Sequence, residues 1–277
     1  MSTGVADLMG VRAKLRRAEE HNSTLKVEVD AWVKQHADAM VFYIRRDGPW
    51  YVVKAEPFPE PDIRFSIIAG DVLHNLRCAL DHLVFQLILR DGHEPSRRNE
   101  FPIYDSQKRF FDDVKFRKSK PKLSVLYGIQ VDGDAWTIIE KAQPYLCVPL
   151  YSSAIRVIGR LSNLDKHRTL LVQSPLVGED ISQAIGWNSE AVLLEQRKGI
   201  TALSLKEPTE VIRYRFADEP NPHVHVKGSL TISPTVGEGK AKDSYQVGVG
   251  FFGHFINEVT KVVDEVSRLP RVIDVKS

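Results

Sequence analysis

The sequence predicts an α+β protein, with a helical region containing an inserted β-hairpin, followed by an antiparallel sheet covered by a C-terminal helix. Apolar residues recur at helical spacing through much of residues 1–168. After residue 169, short Val, Ile and Leu segments alternate with Gly, Pro and acidic turns, as in antiparallel sheets. We therefore expect a mainly helical region over 1–168 and a β region with a closing helix over 169–277, or one compact domain built from both.

The helical region contains three recognisable elements. Val5 to Ala37 has apolar residues at near-helical spacing, which predicts a long first helix. Residues 40–55 are rich in Val, Ile, Tyr and Phe on either side of Asp47-Gly48-Pro49, which predicts a β-hairpin. Residues 66–90 then form a second helix that ends at Asp91-Gly92.

Shorter elements are predicted for the rest of the chain. Helical periodicity returns at 134–142 and 152–164, and an amphipathic helix is expected from about 252 to 269. Between the last two helices, strands are predicted near residues 169–175, 191–197, 200–206, 210–216, 223–232 and 245–251.

Composition excludes several classes of protein. The chain has 277 residues, is 43% hydrophobic and 27% charged, and so resembles an ordinary globular protein. A net charge of +2 does not imply a generic polyanion-binding surface, although it leaves room for a local basic patch. We expect no membrane span, because no apolar run approaches the length that a bilayer requires. Residues 1–20 carry Arg and Glu where a signal peptide would be apolar, so export is not expected.

Cysteine usage favours a reducing compartment. The two cysteines, Cys78 and Cys147, are not part of a C-x-x-C motif, so neither a disulfide framework nor a zinc knuckle is predicted. Both are expected to be reduced thiols, which favours a cytoplasmic protein. No cofactor and no bound metal are predicted.

The second helix carries the most suggestive pattern. One stripe is apolar and includes Leu76 and Leu80, which predicts that it faces a core. The opposite polar face is built from short side chains that favour helices poorly, where Lys and Glu would be usual on a solvent face. Such residues indicate a cleft, a polar core or an interface. The polar face of this helix consists of Asp71, His74, Asn75, Cys78, Asp81 and His82, with Arg77 at its edge.

A second polar cluster follows the 152–164 helix. It consists of Asn163, Asp165, Lys166, His167 and Arg168. A helix C-terminus, where cationic side chains suit the helix dipole, explains it without any site. Alternatively, Asp165, Lys166 and His167 close over His74 and the rest of the polar face, which predicts that the two clusters lie in contact.

A basic run extends from Lys108 to Lys122. Its candidate ligand-binding cations are Lys115, Arg117, Lys118 and Lys120. Such runs are usually solvated loops, and contact with nucleic acid is the functional alternative.

Arg77 and His82 form an Arg-x-x-x-x-His pattern with Asn75 and Asp81 beside them. Here the helix resembles the HEPN (higher eukaryotes and prokaryotes nucleotide-binding) superfamily, over roughly residues 70–89. The resemblance implies a metal-independent ribonuclease that acts on RNA at the cleft of a homodimer. In that case His82 would transfer protons, Arg77 would stabilise the phosphate, and Asn75 or Asp81 would orient them. Cys78, directly after the arginine, and the β-rich C-terminal half depart from that family.

A longer resemblance is to a group of bacterial and phage-associated proteins. The chain shares with them GD-x-LHNLR-x-ALDHL at 70–83, EFPI at 100–103, QPY at 143–145 and N-x-D-K-H-R at 163–168. These elements occur in a consistent order, which makes this match more specific than the short ribonuclease pattern. It implies a setting in phage or defence biology but no particular reaction.

Three functions therefore compete. The first is a non-catalytic binding or assembly module whose buried polar helix face is a hydrogen-bonded network. The second is the HEPN-like ribonuclease using Arg77 and His82. The third is a metal-dependent hydrolase using His74, Asp81, His82 and His167, although no H-E-x-x-H spacing supports it.

Overall fold

A computed structural model of the chain divides it into two compact units. Unit 1 comprises residues 1–24, 67–170 and 251–277, and unit 2 comprises residues 25–66 and 171–250. The structure describes residues 5–36, 41–57, 59–112, 124–149, 152–167, 171–177, 185–187, 192–198, 206–217, 225–226, 232–237 and 246–270.

The α+β class is confirmed. The principal helices are α1 (Met9–Gln35), α2 (Ile63–Arg90), α3 (Asp134–Lys141), α4 (Ala154–His167) and α5 (Phe252–Ser267). Residues 107–112 form a short helical segment, and 3₁₀ turns span Pro144–Leu146 and Val249–Phe251. None of the described helices is long and apolar enough to cross a bilayer.

The strands form antiparallel sheets. They are β1 (Phe42–Asp47), β2 (Trp50–Ala55), β3 (Leu171–Val177), β4 (Ile185–Gly186), β5 (Leu193–Lys198), β6 (Thr209–Phe216), β7 (His225–Val226), β8 (Ile232–Gly237) and β9 (Gln246–Gly248). Among them are a four-stranded sheet in the order β1-β2-β6-β5, a three-stranded sheet in the order β3-β8-β9, and the pair β4-β7. Most of the strand predicted at 200–206 lies outside the described residues.

The predicted hairpin is present between α1 and α2, and it forms part of the four-stranded sheet together with strands from later in the chain. Strand β2 pairs with β6, with Val53 opposite Ile212. The apolar side of the hairpin is thereby buried in a core that includes Val53, Ile212 and Tyr214. The predicted boundary at 168/169 lies two residues from the unit boundary at 170/171, but residues 25–66 also belong to unit 2 and residues 251–277 to unit 1. Local patterns show which residues form a strand but not its distant partner.

The core of unit 1 surrounds the apolar stripe of α2. Leu76 and Leu80 are fully buried, as predicted. The apolar face of α5 is also buried, and this helix packs against α3 and α4, where the sequence predicted contact with a sheet. An amphipathic stripe indicates that a helix face is covered but not which element covers it.

Candidate functional site

The polar face of α2 is exposed along its middle and partly buried at its two edges. Successive residues turn by about 100°, so Arg77 and Asp81 lie on one edge and Asn75 on the other. Asp71, His74 and His82 are exposed, whereas Asn75 is buried. Asn75 Nδ2 donates to Asp71 O at 2.8 Å. In the single chain, the buried polar groups therefore occupy only the edges of the polar face.

At the first edge, Arg77 and Asp81 anchor the segment that follows the helix. Arg77 Nε donates to Asp81 Oδ2 at 3.1 Å, and Arg77 Nη2 donates to Glu100 Oε2 at 3.2 Å. Asp81 Oδ1 accepts a hydrogen bond from Phe101 N at 2.9 Å. Only 12% of the Arg77 side chain is exposed. This network fixes both the guanidinium and the start of the EFPI segment.

Gln143, from the QPY element, holds the same segment from the other side. This residue is fully buried, and its Nε2 donates to Pro102 O at 3.0 Å and to Ile139 O at 2.9 Å. Its Oε1 accepts from Tyr104 N at 3.1 Å. Every polar atom of this side chain is thus paired, and residues 100–104 are fixed between α2 and the end of α3.

Helix α4 approaches both α2 and the EFPI segment at glycines. A Cβ on Gly70 would lie 2.6 Å from Asp165 Oδ2, and one on Gly159 would lie 2.6 Å from Ile103 Cδ1. Only glycine allows such close contacts without a shift of the neighbouring atoms. The predicted contact between the second polar cluster and the region of α2 that bears the polar face is therefore present.

These elements enclose an open cleft, which we call the arginine cleft. Its volume is about 320 Å³, at the small end of the range for ligand sites. It is lined by Arg77, Glu100, Phe101, Ile103, Asp105, Arg109, Arg156, Gly159, Arg160, Asn163 and Lys166. The sequence elements at 70–83, 100–103 and 163–168 contribute lining residues, and the QPY element at 143–145 supplies the Gln143 anchor.

The charge of the arginine cleft is predominantly positive. Arg156 Nε donates to Asp105 Oδ1 at 2.8 Å and only 18% of its side chain is exposed, so its guanidinium is held in place much as that of Arg77 is. Arg109 and Lys166 are exposed. Even with Asp81 counted, the cleft combines five cationic side chains with three carboxylates. Prepositioned guanidinium groups in this excess favour an anionic ligand with several oxygen acceptors.

His82 does not line this cleft. It lies five positions after Arg77 in the helix, so the two side chains leave the helix axis about 140° apart. Its Nδ1 lies 3.8 Å from the position that a Cβ would occupy on Gly10 in α1. Within one chain, Arg77 and His82 therefore face different surroundings.

Cys78 lies between these two directions and is not an activated nucleophile. Its Sγ is 3.4 Å from His74 Nε2. Burial raises the pKa of its thiol, an effect that outweighs the opposing influence of Lys14 and Lys166. The described residues include no group of three or more His, Cys, Asp or Glu side chains arranged to hold a metal ion.

Some candidate residues predicted from the sequence are not among the residues that the structure describes. These are Lys115, Arg117, Lys118, Lys120 and the side chain of His167. Conversely, sequence reasoning missed Arg156 and Arg160 as members of a site. Their signal was available, because residues 156, 159, 160, 163 and 166 follow helical spacing and form one face of α4.

No protein-family model, curated protein or solved structure matches the chain.

Proposed function

We propose that the chain is a non-catalytic binding module that binds a phosphate-bearing ligand in the arginine cleft. The observation that carries this proposal is the convergence of Arg77, Arg109, Arg156, Arg160 and Lys166 on one cleft from α2, residues 107–112 and α4. Polar groups recruited from distant parts of a chain and fixed by a second layer of hydrogen bonds are typical of a preorganised site.

Phosphate fits this cleft better than a single carboxylate does. A phosphate group presents several acceptor oxygens, and planar guanidinium groups bind such oxygens through two parallel donors. Arg77 and Arg156 are each held by carboxylates, so little side-chain entropy remains to be lost on binding. The more exposed Arg109 and Lys166 would complete the neutralisation of the ligand.

Isothermal titration calorimetry with inorganic pyrophosphate tests the proposal. Arg109→Ala and Lys166→Ala should each weaken binding by about tenfold, the cost of one charge-assisted hydrogen bond to the ligand. Both side chains are exposed, so both variants should fold. Arg16→Ala removes an exposed arginine of α1 that does not line the cleft and is the matched control.

The outcomes separate the proposal from a purely structural network. Wild-type binding that is weakened about tenfold in each of the two cleft variants and unchanged in the control supports it. Absence of pyrophosphate binding at low ionic strength, or equal weakening in all three variants, contradicts it. A structural network would leave the chain without affinity for pyrophosphate.

A second candidate function is the HEPN-like ribonuclease, and the exposed middle of the polar face favours it. This strip includes His74 and His82 and continues into Phe85 and Leu89, whose relative exposures are 45% and 39%. A symmetric dimer that buried this strip would bring two copies of His82 together.

RNA cleavage in the presence of EDTA tests this alternative. A ribonuclease of this kind should release products with 2′,3′-cyclic phosphate ends, and His82→Ala should slow it by about 10²–10⁴. A dimer detected by light scattering should accompany the activity. Intact RNA after prolonged incubation would eliminate this candidate and leave the binding module.

A further inference from the structure

The four-stranded sheet of unit 2 has one apolar face and one strongly cationic face. Strand pairing fixes which residues share a face, because directly opposed residues project to the same side. Trp50 lies opposite Asp47 and Arg215, and Val52 lies opposite Arg45 and Arg213. On β5, Glu195 lies opposite Arg215 and Arg197 lies opposite Arg213, so both project to the same side of the sheet. We call this surface the Trp50 face; it consists of Arg45, Asp47, Trp50, Val52, Glu195, Arg197, Arg213 and Arg215.

Three guanidinium groups surround Trp50. The Cζ atoms of Arg197, Arg213 and Arg215 lie 4.7, 5.7 and 5.6 Å from the centroid of its ring. Arg213 also forms two hydrogen bonds of 2.6 Å to Glu210, which assigns it a structural role. Arg197 is different, because 62% of its side chain is exposed. Its planar group therefore forms an outer layer over the tryptophan.

The Trp50 face carries more positive than negative charge. Arg197 and Arg215 share one carboxylate, that of Glu195, at 2.7 and 3.0 Å. Arg45 and Lys54 line a neighbouring recess together with Asp47 and Glu210. Taken together with this recess, the Trp50 face combines five cations, Arg45, Lys54, Arg197, Arg213 and Arg215, with three carboxylates, Asp47, Glu195 and Glu210.

We infer that the Trp50 face binds single-stranded nucleic acid. Unpaired bases stack on aromatic rings and on guanidinium planes, and this face offers the exposed guanidinium of Arg197 above the half-buried ring of Trp50. The surrounding cations match the charge of a phosphate backbone. A duplex hides its base faces and would gain only the electrostatic part of this interaction.

This inference concerns a different surface from the arginine cleft and does not depend on the proposed function. Its test is therefore carried out in an Arg109→Ala/Lys166→Ala background, where binding of phosphates to the cleft is reduced. Fluorescence anisotropy then measures the affinity for labelled oligothymidylate and oligouridylate of about 12 nucleotides, within the range of known single-strand sites. A duplex of the same length is measured in parallel.

Neighbouring arginines on β1 provide a matched pair of variants. Arg45 projects to the Trp50 face, whereas Arg46 lies on the opposite side, with its Cζ 5.5 Å from the centroid of the Tyr51 ring. Arg45→Ala should weaken binding severalfold and reduce the slope of log affinity against log salt by about 0.7. Arg46→Ala removes the same charge from the same strand and should change neither quantity appreciably.

Stacking is tested separately at Trp50 and Arg197. Trp50→Ala should weaken single-strand binding by about tenfold, and Trp50→Phe should restore part of that loss. Arg197→Lys keeps the charge but removes the planar group, so it should weaken binding while leaving the salt dependence unchanged. Because Arg197 is exposed, this variant stays informative even where Trp50→Ala unfolds the sheet.

Three results would overturn the inference. They are absence of oligonucleotide binding at low salt, equal effects of Arg45→Ala and Arg46→Ala, and duplex affinity equal to single-strand affinity. Either of the first two would reduce the Trp50 face to a ladder of ion pairs and cation–π contacts that stabilises the sheet. The third would leave electrostatic attraction to phosphates without base stacking.

Discussion

The arginine cleft of unit 1 and the Trp50 face of unit 2 both concentrate arginines, but they are built in different ways. The cleft draws residues from segments as far apart as Arg77 and Lys166. Residues 100–104 are fixed because Asp81 accepts a hydrogen bond from Phe101 N and Gln143 donates one to Pro102 O. The Trp50 face needs only the register of neighbouring strands, which aligns Trp50 with Arg215. The cleft should therefore be sensitive to its anchors, whereas the face should be sensitive to strand pairing alone.

The largest expected effect is on stability and concerns the buried side of α2, the helix that carries Arg77 and Asp81. Leu80 is fully buried in α2, one residue before the anchor Asp81. Leu80→Ala should lower the free energy of unfolding by about 2–5 kcal/mol, because it removes apolar contacts and leaves a cavity. Denaturant unfolding followed by circular dichroism measures this. A change below about 1 kcal/mol would show that α2 does not form the core of unit 1.

A substitution at Gln143 should affect the arginine cleft but not the Trp50 face. Gln143→Leu leaves Pro102 O, Ile139 O and Tyr104 N without their side-chain partner, so we expect a loss of stability of about 2–3 kcal/mol. Pyrophosphate binding should weaken, because residues 100–104 lose their position beside the cleft. Oligonucleotide binding to the Trp50 face should not change. If both affinities fell equally in the folded variant, the two sites would not differ in their dependence on anchors.

A smaller effect on stability is expected at the ion pair between Arg213 of the Trp50 face and Glu210. The hydrogen bonds from Arg213 hold the pKa of Glu210 below its usual value of 4.5. Since the folded state stabilises the carboxylate, this contribution is present above the unfolded pKa and is lost as the pH falls through the folded pKa. Glu210→Gln should therefore reduce stability by about 0.5–1 kcal/mol near neutral pH.

The pH dependence provides the control for that prediction. In urea unfolding at a series of pH values, the difference between wild type and Glu210→Gln should disappear below the lowered pKa. A difference that persists there would assign the effect to packing and not to ionisation.

The smallest effect is expected at Tyr214, which is a fully buried polar side chain of unit 2, as Gln143 is of unit 1. Its ring is fully buried in the core of the sheet, and burial raises its pKa to about 12. Among the described residues its hydroxyl has no hydrogen-bond partner. Tyr214→Phe should therefore change stability by less than about 0.5 kcal/mol, or increase it slightly, because no partner is left unsatisfied. A clear loss of stability would reveal a polar contact at this position.

The two regions also differ in how far the sequence predicts them. Periodicity predicted α2, the burial of Leu76 and Leu80, and the β1–β2 hairpin, because these depend on local spacing. It did not predict the pairing of β2 with β6 or the contact of α5 with α3 and α4, which depend on distant partners. For the cleft, the two polar clusters in the sequence, at 71–82 and 163–168, each include a residue that lines it. The roles of Arg156 and Arg160 became apparent only when α4 was placed beside the EFPI segment.

The most direct test of the proposed function is to locate a bound anion. In crystals of the full chain soaked with tungstate, anomalous scattering identifies the ion as a substitute for phosphate. We expect an anomalous peak in the arginine cleft, with oxygens about 2.7–3.0 Å from at least two of the guanidinium groups of Arg77, Arg109, Arg156 and Arg160. This peak should be absent in crystals of Arg109→Ala/Lys166→Ala protein. Tungstate bound elsewhere on the chain, with an accessible cleft left empty, would contradict it.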